Sequence, residues 1–163
     1  MKRLFQIPPY FAPLATAVSL SLAVVGIQAS DWPQWRGPNR DGFSKEQGLL
    51  KEWPKDGPKI LWKITDAGSG YSTPAVVGDR IYLLGHEGLE NEFVRALSAS
   101  DGKAVWSTRL GKVGNPDQQP NFPAARSTPT VVGDFLYTLG SDGDLACLQV
   151  KTGSVVWKKK FAD

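Results

Sequence analysis

Few residues of this 163-residue sequence are equipped for acid–base, nucleophilic or metal chemistry. His86 is the one histidine. It stands near Glu87 and Glu90, where an imidazole could move a proton or take a metal. Either task needs a second group at a fixed spacing, and the sequence offers none, so a solvated loop histidine accounts for it. Cys147 is the one cysteine, which excludes an intrachain disulfide and a Cys-rich metal site. It reads as a small, buried structural thiol. No Ser/His/Asp arrangement can be assembled around His86. The run Asn39-Arg40-Asp41-Gly42 has the outline of a calcium loop. It lacks the alternating acids and the terminal glutamate, so a turn is the simpler reading. Tyr71 and Arg126 each precede a Ser-Thr-Pro. A guanidinium at that place can hold a carboxylate or phosphate bidentately, or make an ordinary ion pair within the fold.

The elements that position these residues come from a repeat. Residues 72–85, STPAVVGDRIYLLG, return 55 positions later as STPTVVGDFLYTLG, with ten of fourteen residues unchanged. In each copy two β-rich runs flank a Gly-Asp pair, Gly78-Asp79 and Gly133-Asp134, the pattern of a tight hairpin. A third strand follows, Phe93–Leu97 in one copy and Asp144–Val150 in the other. Turns at Asp101-Gly102 and Thr152-Gly153 lead to a fourth, Ala104–Arg109 and Ser154–Lys159. From the third strand on the offset is 51, so the first copy carries four extra residues within His86–Glu92. Lys59–Ile64 matches the fourth strand alone, which sets Trp62, Trp106 and Trp157 at 44- and 51-residue spacing. A four-strand unit at this period predicts β-propeller blades, whose sheets bury their faces only against neighbouring blades. The expected fold is all-β. It is a partial propeller of two complete four-stranded antiparallel blades, about 70–110 and 126–161, plus the last strand of another.

The turn and fourth strand resemble the quinoprotein-type, or PQQ-like, propeller repeat, Ala-x-Asp-x-x-Thr-Gly-Lys-x-x-Trp. The first copy offers Ala96, Gly102, Lys103 and Trp106, with Ser98 and Asp101 in place of Asp and Thr. The second offers Thr152, Gly153 and Trp157, with Cys147 at the Ala position and Ser154 at the Lys position. The resemblance implies that Gly102 and Gly153 make the turns and that Trp62, Trp106 and Trp157 dock between blades. The opening DWPQWRGPNRDG is similar to that of bacterial exported PQQ-like repeat proteins, akin to the propeller lipoprotein of the outer-membrane barrel assembly machinery. Two departures bear on function. No lipoprotein cysteine follows the leader, so no lipid anchor is implied. The vicinal cysteine pair of the quinone-dependent dehydrogenases is missing as well.

Residues 1–29 read as a cleaved secretory signal. Met1-Lys2-Arg3 is basic, Phe11–Ile27 is uncharged and apolar, and Ile27-Gln28-Ala29 ends on a small residue. An uncleaved anchor is the alternative. Removing the leader takes away Lys2 and Arg3 and leaves 17 basic against 16 acidic side chains. No basic stripe interleaved with aromatics remains, so nucleic acid is not an expected partner. Residues 30–58 are rich in Pro, Gly and charge yet hold Trp32, Trp35 and Trp53. They read as an irregular segment docked on the propeller. Residues 59–163 form the repeat region. Propellers have four to eight blades, so the ring must be closed by further blades of a longer parent or by a second copy.

In such a meander the tight turns share one end. The irregular stretches His86–Glu92 and Gly111–Ala125, with Tyr71 and Arg126, fall at the other. That end is the expected binding face, for a protein or a small polymer ligand. The sequence favours a periplasmic or secreted, non-catalytic scaffold with no cofactor. The alternatives are a PQQ-dependent dehydrogenase, with quinone and catalytic residues in further blades, and a sugar- or polymer-binding propeller.

Overall fold

The structure, a computed structural model, describes residues 29–115, 117 and 125–161. Residues 1–28 of the leader, residues 116 and 118–124 of the long connection, and residues 162–163 therefore lie outside the described residues. Within them there is no helix, and eight strands form two sheets. The first sheet is β1 (Ala75–Val77), β2 (Arg80–Glu87), β3 (Asn91–Ser98) and β4 (Ala104–Gly111). The second is β5 (Thr130–Val132), β6 (Phe135–Leu139), β7 (Asp144–Gln149) and β8 (Val155–Lys160). Both are antiparallel meanders in chain order.

Local chemistry sets this pattern. The β1–β2 and β5–β6 turns are two residues long, and their leading glycines take φ of 57° and 56°. A glycine-first hairpin turn of this hand matches the twist of the strands it joins. At the same positions in β3–β4 and β7–β8, Gly102 and Gly153 both take φ 72°.

The core lies between the two sheets. One face of the first sheet supplies Ala75, Tyr82, Leu84, Val94, Ala96 and Leu110, and the second supplies Val131, Leu136, Ala146 and Leu148. Register explains the division. Ala75, Tyr82, Ala96 and Trp106 are cross-strand partners, so their side chains share a face. Val131, Leu136 and Leu148 do the same in the second sheet. Each sheet is covered only because the other exists.

The repeated tryptophan fastens the sheets. Trp106 on β4 donates its indole N–H to Val150 O at 2.9 Å, and its ring lies on Gly153, where a Cβ would come within 2.5 Å. Trp62 makes the same contacts one repeat earlier, with Ala99 O at 2.9 Å and a Cβ on Gly102 at 2.6 Å. Lys59–Ile64 has no ladder partner among the described residues. It lies where the fourth strand of a preceding blade would lie. The chain beyond it covers the outer face of the first sheet. Arg95 reaches Asp66 O, Ala67 O crowds Gly85, and Ser69 bridges His86.

The segment before the repeats is tied to the inner strands. Trp32 exchanges backbone hydrogen bonds with Val76 of β1, at 2.7 and 2.9 Å. Pro33 O accepts from Val131 N of β5 at 2.9 Å, and Asp31 Oδ1 accepts from Gly78 N at 2.8 Å. Three residues thus span both sheets.

Candidate functional site

Strand directions place the two-residue turns, with the β3–β4 and β7–β8 turns, at one end. The β2–β3 and β6–β7 turns, the connection between sheets, Tyr71 and Arg126 lie at the other. The stretch His86–Glu92 is not the irregular loop expected from sequence. β2 runs on to Glu87 and β3 starts at Asn91, so His86 pairs with Glu92 and Glu87 with Asn91. Only Gly88, Leu89 and Glu90 turn the chain. The four extra residues lengthen a hairpin, and His86 is a strand residue. Its Nδ1 lies 2.8 Å from Gly88 O, and its backbone pairs with Ser69, which orders it.

Glu92 is the residue that sequence reasoning missed. It is fully buried between the sheets. Its Oε2 accepts from Ser141 N at 2.7 Å, and Oε1 has no hydrogen-bond partner among the described residues. Burial pushes this carboxyl above the ordinary carboxylate range, against the hydrogen bonds from Ser141 and the nearby His86. Gly114 N donates to Ser141 Oγ at 2.9 Å. The β6–β7 turn is therefore held from the first sheet and from the inter-sheet connection. Beside it Asp144 is buried and pairs with Lys158 at 3.0 Å, whose ammonium also reaches Leu110 O. Lys160 pairs with Asp142 at 2.6 Å, and that hydrogen bond lowers the Asp142 pKa.

Tyr71 and Arg126 do come together, with the guanidinium carbon 5.4 Å from the ring centroid. Tyr71 N also donates to Ala125 O at 2.9 Å, and Ser72 Oγ donates to Ser127 O at 2.8 Å. The residues before the two Ser-Thr-Pro motifs are thus stacked from one blade to the next. Arg126, Ser127, Leu139, Gly140, Ser141, Gly114 and Asn115 line a recess of about 370 Å³. The repeat reveals its character. The corresponding place in the first sheet, by Tyr71, Ser72, Leu84 and Gly85, is filled by Ala125, which is fully buried. The recess is shaped as a socket for the start of another blade.

Two four-stranded meanders joined by tryptophan-on-glycine contacts define the class, a β-propeller repeat protein. The family model described as "Outer membrane protein assembly factor BamB" matches residues 43–163, and the chain belongs to that family. The protein of that name from Yersinia pestis is 28% identical over 119 residues, 70% of this chain and 29% of the relative. That from Moranella endobia is 27% identical over 74 residues, 45% of this chain and 19% of the relative. The chain thus matches less than a third of the length of these relatives. Among solved structures, the quinohemoprotein alcohol dehydrogenase from Comamonas testosteroni aligns with a TM-score of 0.59 at 20% identity, covering 80% of this chain and 19% of its own. That likeness bears on fold alone.

Proposed function

We propose that this chain is part of an exported, non-catalytic propeller that serves as a binding scaffold in outer-membrane protein assembly. Family membership supports the process, since the relatives carry the name of an assembly factor. The observation that carries the mode of action is the asymmetry of the two ends. One end holds minimal turns, and the other gathers the extended β2–β3 hairpin, the β6–β7 turn and the long connection. Loops on a rigid scaffold are where recognition concentrates. Leu89, at the tip of that hairpin, is 47% exposed and is an apolar contact point for a protein partner. Residues 30–58 dock on the propeller as an irregular arm, and the protein works without a bound cofactor.

The test belongs in the full-length protein. Shortening the β2–β3 hairpin by four residues should lower the yield of folded outer-membrane β-barrels, read by heat-modifiable gel mobility. Changing Thr152 at the opposite end should not. Sensitivity of the opposite end alone overturns the face. Quinone-dependent oxidation of alcohols by the full-length protein overturns the scaffold.

A further inference from the structure

We infer that the two sheets carry a pH-operated latch at the long-connection end: Glu92, with His86 beside it, holds the β6–β7 turn closed at low pH and releases it as the pH rises. The inference rests on the inter-sheet geometry and stands apart from the scaffold reading.

Register puts the pair in place. His86 and Glu92 are cross-strand partners, in step with Leu84↔Val94 and Tyr82↔Ala96 on the same two strands. Side chains two residues apart on a strand share a face, so the pair extends the row that forms the inter-sheet core. At its end that row holds an imidazole and a carboxyl in place of apolar groups. Room for the carboxyl is built in. A Cβ on Gly140 would lie 2.7 Å from Glu92 Oε2, and one on Gly111 would strike Asp144 Oδ2. Both walls of this site belong to the chain, since Glu92 is fully buried between its two sheets.

One serine gathers the contacts. Ser141 N donates to Glu92 Oε2 at 2.7 Å, and Ser141 Oγ accepts from Gly114 N at 2.9 Å. Val113, the residue before Gly114, donates its N–H to Leu89 O at 2.7 Å. The hairpin tip, the start of the long connection and the β6–β7 turn are thus linked through the Glu92–Ser141 contact.

Charge sets the state of the latch. Glu92 Oε1 has no hydrogen-bond partner among the described residues, so ionisation leaves buried charge that is only half satisfied. β7 presents Asp144, which Lys158 of β8 holds at 3.0 Å and Lys160 approaches at 3.7 Å. Asp142 on the turn pairs with Lys160 at 2.6 Å. Lys112 and Arg126, on the connection between the sheets, are exposed. The lysines of β8 are committed to the two aspartates, and from β2 a protonated His86 offsets a Glu92 carboxylate. Burial raises the Glu92 carboxyl above the ordinary carboxylate range, and the Asp144 charge adds to it, against Ser141 and His86. A raised pKa favours the closed, protonated site at low pH. That preference is lost as the pH rises through the folded value, and further as the imidazole gives up its proton. Opening the turn lets water reach the carboxylate.

Amide hydrogen exchange in the full-length protein tests this, read by mass spectrometry on a peptide covering residues 140–143 and divided by the intrinsic rate at each pH. Protection there should fall about tenfold between pH 5 and pH 8, while a peptide covering Ala146–Leu148 in the core keeps its protection. Glu92→Gln keeps an acceptor for Ser141 N without the charge, and should hold protection within about twofold over that range. His86→Gln should be less protected than the parent at pH 6. A flat profile in the parent overturns the inference, whatever the variants do. So does a fall that survives Glu92→Gln, a His86→Gln variant that matches the parent at pH 6, or a fall shared equally by the core peptide, which would report global unfolding.

Discussion

At the residue scale, Trp106 lays its indole on Gly153 and donates its N–H to Val150 O. Trp62, Trp106 and Trp157 stood out because large residues recurred at blade spacing. The contacts then followed from one rule, indole on glycine. Truncating Trp106 removes its ring from the inter-sheet contact and its hydrogen bond to Val150 O. Trp106→Ala should cost about 3 kcal/mol in chemical denaturation. Trp35, 62% exposed, should cost less than about 0.5 kcal/mol. Glu92 gave no such signal. In sequence it is one more acid in a polar stretch, and its burial depends on a turn 49 residues away. Its carboxyl is raised by burial, so its contribution to stability is full below the ordinary carboxylate pKa and is lost as pH rises through the folded value. Glu92→Gln keeps an acceptor for Ser141 N and removes that loss. The melting temperature of the variant should exceed the parent's at pH 8, and the difference should shrink to nothing by pH 4. A difference that grows on acidification contradicts this assignment.

At the scale of elements, strands and tight turns were legible because glycine placement and alternation agreed in both copies. The β2–β3 extension was not. Four added residues rich in Glu and Gly read as a loop, yet pairing continued through His86↔Glu92 and Glu87↔Asn91. Alternation there leaves no apolar trace, since the extension's fully buried side chain is the acidic Glu92. The same holds for the arm before the repeats. Three tryptophans argued for docking, but nothing in the residues told which strand Asp31–Pro33 would meet. That contact is backbone pairing to β1 and β5, which side-chain chemistry does not encode. The Asp31 carboxylate, accepting from the Gly78 amide, is the part open to mutation. Asp31→Ala should lower stability by about 1–2 kcal/mol, read from the urea midpoint with an unchanged slope. Asp31→Asn, which keeps an acceptor oxygen, should recover much of it.

At the scale of the whole molecule, the two sheets pack face to face and residues 62–69 lie over the outer face of the first. The recess beside Arg126 shows why site residues were harder to read than fold. Tyr71 and Arg126 lie at the long-connection end. Their first partners are each other, because the repeat stacks the start of each blade on the last. Export is the other whole-chain expectation. The periplasmic product should be about 29 residues shorter than the translated chain by intact mass, as a cleaved leader requires.

The claim that a partner meets the long-connection end is tested most directly by site-specific photo-crosslinking in the full-length protein in living cells. A photoreactive residue at Leu89, on the hairpin tip, is compared with one at Asp79, whose side chain is 81% exposed at the opposite end. Crosslinks to a defined protein from position 89, with none from position 79, are the predicted result. Crosslinks from position 79 alone would contradict the account.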